Sequence, residues 1–144
     1  MERIIEETVI MIVNYFDSVK WKYEVKEEED MIIFETDYRG ENEYVRIRVI
    51  VFKWQKRNYH VWCYSNTTIP KEHIMKGLQA VNQYNSRAVY ISVFLNQENG
   101  DIIFRRHHES NEAIPEADFI DCFATVVNAA DCDTAQIFKN TLKL

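Results

Sequence analysis

Glycine and proline are the scarce residues of this chain, at three and two among 144. A sequence so poor in both is neither collagen-like nor disordered, and it is not a loop-rich scaffold. The three glycines, Gly40, Gly77 and Gly100, stand far apart. No glycine-rich loop is available to cradle a phosphate, which removes the Rossmann and P-loop modes of nucleotide binding. Cysteine is sparse as well. Cys63, Cys122 and Cys132 are odd in number and form no CxxC pair, the pattern of reduced, mostly buried thiols in a cytosolic protein. Positive charge is short too: 17 basic residues face 23 acidic ones, for a formal net charge of -6 and a pI of about 5.2. Nucleic-acid binding needs a positive field, so no nucleic-acid partner is expected.

Long apolar runs are missing. The uncharged stretch 8–16 is too short to span a bilayer. The first residues carry Glu2, Glu6 and Glu7 against Arg3, so they lack the basic region of a secretory signal, and no small-residue cleavage site follows. A soluble, cytoplasmic protein with no membrane partner is expected. What the chain does have is core material: 47% of its residues are hydrophobic and 13% aromatic. That fits one domain, residues 1–144, with its own core.

Helical spacing marks residues 3–19, where Ile4, Ile5, Val9, Ile12, Val13, Phe16 and Val19 recur with a 3.6-residue period. Ile10, Met11 and Tyr15 widen that apolar arc beyond one face. A helix apolar over most of its circumference is either deeply buried or has a second partner, and these three residues are the candidate dimer contact. Alternation then marks a β region. Its segments are 21–26, 31–38, 44–54 and 59–64, joined by short polar turns, so the sheet is expected to be an antiparallel meander. Residues 21–38 read equally as one bent strand or as two. A helix over 71–86 follows Pro70, then a hairpin of strands 88–95 and 102–108. A last helix starts near Glu116 after Ile114-Pro115, with Asp131 or Asp133 suited to cap a separate short final helix. The order α-β-β-β(β)-α-β-β-α describes an α+β domain, an antiparallel sheet with helices packed on it.

The strand 44–54 is informative. Val45, Ile47, Val49 and Val51 line one face, the core face. The other face reads Tyr44, Arg46, Arg48, Ile50, Phe52, Trp54, beginning polar and ending apolar. The neighbouring strand adds His60, Trp62 and Tyr64. A one-sided sheet has a polar outer face. An aromatic one is covered by the chain's own helices, the commoner outcome, or by another protein.

A helix that opens after Ile69-Pro70 and ends with Asn82 and Asn85 in an Asn-x-x-Asn step, followed by a hairpin with Asn99-Gly100-Asp101 in its turn, resembles the YbjN family. That family has the type III secretion chaperone-like fold. The resemblance covers about residues 30–130 and is strongest over 69–108. It implies a small acidic protein without enzyme activity that often dimerises and binds a partner polypeptide or acts as a regulator. This chain departs from the pattern in its long apolar first helix, the extra segment 21–26 and a longer C-terminal part. The asparagines also have a physical reading. Asn85, in the left-handed conformation, ends the helix, and Asn99-Gly100 supplies positive φ in the turn.

Candidate chemistry is thin. His107 and His108 are adjacent on a strand and point to opposite faces, so they do not share a metal. No HxH, HExxH or CxxC spacing supports zinc. Cys122 lies in an apolar helical stripe, and Cys132 sits between two aspartates that raise its pKa. The acidic run 27–30 lacks EF-hand spacing and reads as a solvated turn. Arg46, Arg48, Asp101, Arg105 and Arg106 either line a basic strip across the sheet or pair with cross-strand acids.

The expectation is therefore a non-enzymatic, chaperone-like or regulatory binding protein, a homodimer with no cofactor and no metal. Its protein partner would be held at Ile50, Phe52, Trp54, Trp62 and Tyr64. The alternative is a small-ligand binder or enzyme with a pocket between the sheet and the first helix, using His60, His107 or Arg105.

Overall fold

The computed structural model describes residues 3–53 and 56–143. Helix α1 spans Arg3–Ser18 and is followed by four strands: β1 (Glu24–Glu27), β2 (Met31–Arg39), β3 (Tyr44–Phe52) and β4 (Arg57–Thr68). Residues 21–38 thus hold two strands, separated by a tight turn in which the Glu28 amide donates to the Met31 carbonyl at 2.8 Å. A 3-10 turn at Lys71–His73 leads into α2 (Ile74–Arg87). Strands β5 (Ser92–Leu95) and β6 (Asp101–Ser110) precede α3 (Glu116–Lys143). The six strands form one antiparallel sheet in the order β1-β2-β3-β4-β6-β5. This is the α+β arrangement that the alternating and helical spacings call for. Among the described residues no helix is long and apolar enough to cross a membrane.

All three helices lie on the same side of the sheet. Helices α1 and α3 pack on β3 and β4, and α2 packs on β5 and α3. Side chains alternate along a strand, so one face of each strand enters this layer. Ile32 and Phe34, then Val45, Ile47, Val49 and Val51, then Tyr59, Val61 and Cys63 all belong to the core cluster. Phe16 of α1 is fully buried at the centre. Its ring lies 5.5 Å from Phe123, 6.3 Å from Phe34 and 5.2 Å from Tyr23. These aromatic packings fill the space between the Phe16 turn of α1 and the sheet, and a surface depression at the C-terminal end of the helix is lined by Asp17, Trp21, Tyr23, Glu35 and Asp37.

Helix α1 ends in a Schellman motif. The Trp21 amide donates to the Phe16 carbonyl at 2.9 Å and the Lys20 amide to the Asp17 carbonyl at 3.2 Å. The accompanying apolar contact is Trp21 on Phe16, 6.2 Å apart. Lys20 takes the left-handed φ of 57° that this motif requires.

Two carboxylates hold the loops at one end of the sheet. Asp131 is buried, and its Oδ1 accepts the amides of Asn42 and Glu43, each at 2.9 Å. Glu43 in turn accepts the amides of Asn66 and Thr67 at 2.6 and 2.7 Å. Those amides are freed by the bulge between Tyr64 and Thr68 in β4. This corrects the expectation of a helix break near residue 131. Helix α3 is a single 28-residue helix, because Asp131 spends its carboxylate on a loop far away in sequence rather than on its own backbone.

Asn85 also differs from expectation. It is helical, not left-handed, and α2 continues to Arg87. Its side-chain amide donates to the Val93 carbonyl at 2.9 Å and accepts the Val93 amide at 2.8 Å. Gly100 does take positive φ, at 79°, whereas Asn99 contributes through its side chain, which accepts the Asp101 amide at 2.9 Å.

Candidate functional site

Among the described residues the outer face of the sheet carries no helix. That is opposite to the expectation that the chain's own helices cover the aromatic face. The physical reason is that the purely apolar face is the better substrate for three amphipathic helices, and one layer suffices to bury them.

The strand registers lay this face out in rows. Ile33, Ile50, His60 and His107 lie side by side, with Phe52 above. The next row is Glu35, Arg48, Trp62, Arg105 and Ser92. The third is Asp37, Arg46, Tyr64, Ile103 and Phe94. Ile33, Ile50 and Ile103 are buried without belonging to the core cluster beneath the helices.

The arginines lie over aromatic rings. The guanidinium carbons of Arg46 and Arg48 are each 5.5 Å from the Tyr64 ring centroid. That of Arg105 is 6.0 Å from Trp62 and 5.4 Å from Phe94. Such stacking pre-orients a guanidinium while leaving its N–H edge free to meet a carboxylate. Arg46 and Arg48 also contact acids, Asp101 at 3.4 Å and Glu35 at 3.8 Å. Among the described residues Arg105 has no carboxylate within salt-bridge range; its Nε meets the Ser92 hydroxyl at 3.4 Å. A shallow depression of about 180 Å³ lies between Glu35, Asp37, Arg46, Arg48 and Tyr64.

At the other end of the face His60 stacks on His107 at 5.1 Å and meets Phe52 edge-on at 4.9 Å. Desolvation, then the neighbouring His107 and the Arg105 charge, hold the His60 imidazole below its ordinary pKa, against an opposing pull from Glu109. His108 faces the helix side and stacks on Tyr59 at 5.6 Å, so the two adjacent histidines do point to opposite faces.

The residues singled out for partner binding fall together here. Ile50 is buried, and Phe52, Trp62 and Tyr64 are half-buried on the outer face; Trp54 lies outside the described residues. The dimer candidates on α1 do not stand alike. Ile10 is exposed, whereas Met11 and Tyr15 are half-buried and packed against the core. The basic strip is corrected at one position: Arg106 faces the helix layer, 3.9 Å from Asp121 and 5.3 Å from the Tyr90 ring. Sequence reasoning missed Phe94 and Ile103. Phe94 was findable, since it alternates with Val93 and Leu95 and so faces away from the core. Burial pushes the thiols of Cys63 and Cys122 up. Desolvation and then Asp131, Asp133 and Glu41 push up that of the exposed Cys132. Among the described residues no group of three or more His, Cys, Asp or Glu side chains is placed to hold a metal ion.

An antiparallel sheet with helices on one face and an open, aromatic-cationic other face defines a class of small α+β protein built around an uncovered sheet. Comparison with known proteins makes the fold specific. No family model matches the sequence, and no curated protein does. Among solved structures, the chain is similar to that of YbjN from E. coli, which is described as a candidate transcription regulator. The match covers 94% of this chain and 89% of that one, with a TM-score of 0.57 and 9% identity. The chain has a YbjN-like fold.

Proposed function

We propose that this chain is a non-enzymatic binding protein of the cytoplasm, and that its open sheet face receives an extended, acidic segment of a partner protein. The observation that supports this most directly is the trio Arg46, Arg48 and Arg105, stacked on Tyr64, Trp62 and Phe94 over a face without helices. Carboxylates meet guanidinium edges bidentately, and apolar side chains between them rest on the rings. A polypeptide is favoured over a nucleic acid by charge. The net charge is -6, and Glu35, Asp37 and Asp101 sit among the arginines, which suits spaced carboxylates better than an unbroken phosphate backbone. The free, high-pKa thiols fit a reducing compartment and not nucleophilic catalysis. A binding role of this kind also suits a regulator, the description that the YbjN structure carries.

The test is fluorescence anisotropy with a labelled peptide of alternating Glu and Tyr as the probe. Arg105→Ala and Trp62→Ala are each expected to weaken binding about tenfold. Lys139→Ala, exposed on α3, should leave it unchanged, and added salt should weaken it. Equal affinity in all variants, or binding of an oligouridine in place of the peptide, overturns the proposal.

A further inference from the structure

The two edges of the sheet are treated differently. At the β5 edge, the Val93 amide and carbonyl that point away from β6 are both taken by the Asn85 side chain, at 2.8 and 2.9 Å. A primary amide mimics one rung of the next strand, and the edge is blocked. At the other edge no such plug meets β1 among the described residues. All four of its residues are exposed, and Val25 is 50% exposed.

The register shows which groups of β1 are free. The Glu28 amide bonds the Met31 carbonyl, and the pairing runs unbroken from Glu27↔Ile32 to Glu24↔Glu35. Antiparallel ladders alternate hydrogen-bonded and non-bonded pairs. The bonded pairs therefore fall on the even-numbered β1 residues, and the N–H and C=O of Val25 and Glu27 point outward. The Lys22 carbonyl, also even-numbered, faces β2 and accepts the Thr36 hydroxyl at 2.6 Å, which agrees.

We infer that β1 is the homodimer contact, pairing antiparallel with β1 of a second copy about Val25. The outward amides allow only registers that set odd-numbered residues against odd-numbered ones. Charge then selects among them. Centred on Val25, the pairing sets Glu24 against Lys26 of the partner subunit and Lys22 against Glu28 of the partner subunit, each twice by symmetry. A shift to either neighbouring allowed register sets Glu24 on Glu24 and Lys22 on Lys26, or Lys26 on Lys26 and Glu24 on Glu28. All of those are like charges, which destabilise directly opposed pairs. A slip of one residue sets outward amides against committed ones and leaves them unbonded. The two-fold pairing also turns Val25 onto Val25 of the partner subunit, removing exposed apolar surface. Two six-stranded sheets join edge to edge with both helix layers on one side, so the open faces become continuous.

Sedimentation equilibrium of the intact chain over a range of concentrations tests this. A concentration-dependent mass rising to twice 17.2 kDa is expected. Val25→Pro, which deletes only an outward N–H, should leave a folded monomer by circular dichroism. Glu24→Lys and Lys26→Glu alone should each weaken the dimer about tenfold, and the two together should restore it, because the pair is reversed and not removed. A wild-type chain that stays monomeric at every concentration overturns the inference. So does a dimer that survives Val25→Pro but is lost in Ile10→Asp, and so does a double variant no tighter than the singles. Peptide binding at the open face is a separate readout and does not depend on the outcome.

Discussion

Asp131 Oδ1 and the Glu43 amide are 2.9 Å apart, joining the middle of α3 to the β2–β3 loop. The same carboxylate excludes any side chain at Gly40, where an added Cβ would lie 2.1 Å from Asp131 Oδ1. Asp131→Ala strands the amides of Glu41, Asn42 and Glu43 and is expected to cost about 2–4 kcal/mol. Gly40→Ala displaces the carboxylate and should cost a similar amount. Because both act on the same contact, the double variant should lose clearly less than the sum of the two. Urea denaturation of the four proteins measures this, and strict additivity would contradict it.

Lys20 occupies a conformation that favours glycine, at φ 57°. Its Schellman bonds come from the backbone alone, so replacing the side chain removes strain without removing a contact. Lys20→Gly is expected to stabilise the protein by about 1 kcal/mol. A rise in melting temperature would show it; a fall would mean that the lysine side chain contributes more than its backbone strain.

His60 sets a pH dependence. Its folded-state pKa lies below the ordinary imidazole value, mainly through desolvation. Between that lowered value and the unfolded value near 6.5, the unfolded chain binds more protons than the folded one. Stability therefore rises with pH through this window and is lost as pH falls below about 6.5. His60→Phe keeps the edge-on contact with Phe52 and removes the titration. Thermal melts between about pH 7.5 and 5.5 should fall less steeply in the variant than in the parent. Identical slopes would assign the acid sensitivity to other groups.

Much of this architecture is legible in the sequence, because one-dimensional spacing carries it. The alternation of Val45, Ile47, Val49 and Val51 against Arg46 and Arg48 sorts β3 into two faces, and the 3.6-residue stripe through Ile5, Ile12 and Phe16 marks the buried side of α1. What stays hidden depends on partners distant in the chain. Asp131 looks like a helix cap until the loop amides 88 and 89 residues away are seen to occupy it. Asn85 looks like a helix stop until Val93 is seen to bond it twice. Which face the helices take is legible from that alternation, but whether a second layer covers the other face depends on how much helix surface remains unburied, and no local pattern records that. Arg106 is the opposite case, legible in the sequence although read as part of the strip. Its neighbour Arg105 is on the open face, so period-two alternation alone places Arg106 beneath the helices.

The central claim is that the open face is the binding surface. It is tested most directly by mapping backbone amide and indole shifts in a ¹⁵N spectrum while the Glu-Tyr peptide is added. The account predicts changes concentrated at Arg46, Arg48, Trp62, Tyr64, Phe94 and Arg105, with the helix layer silent. Changes confined instead to the cleft of about 370 Å³ between α2 and α3, lined by Ala80, Tyr84, Ile137 and Asn140, would contradict it.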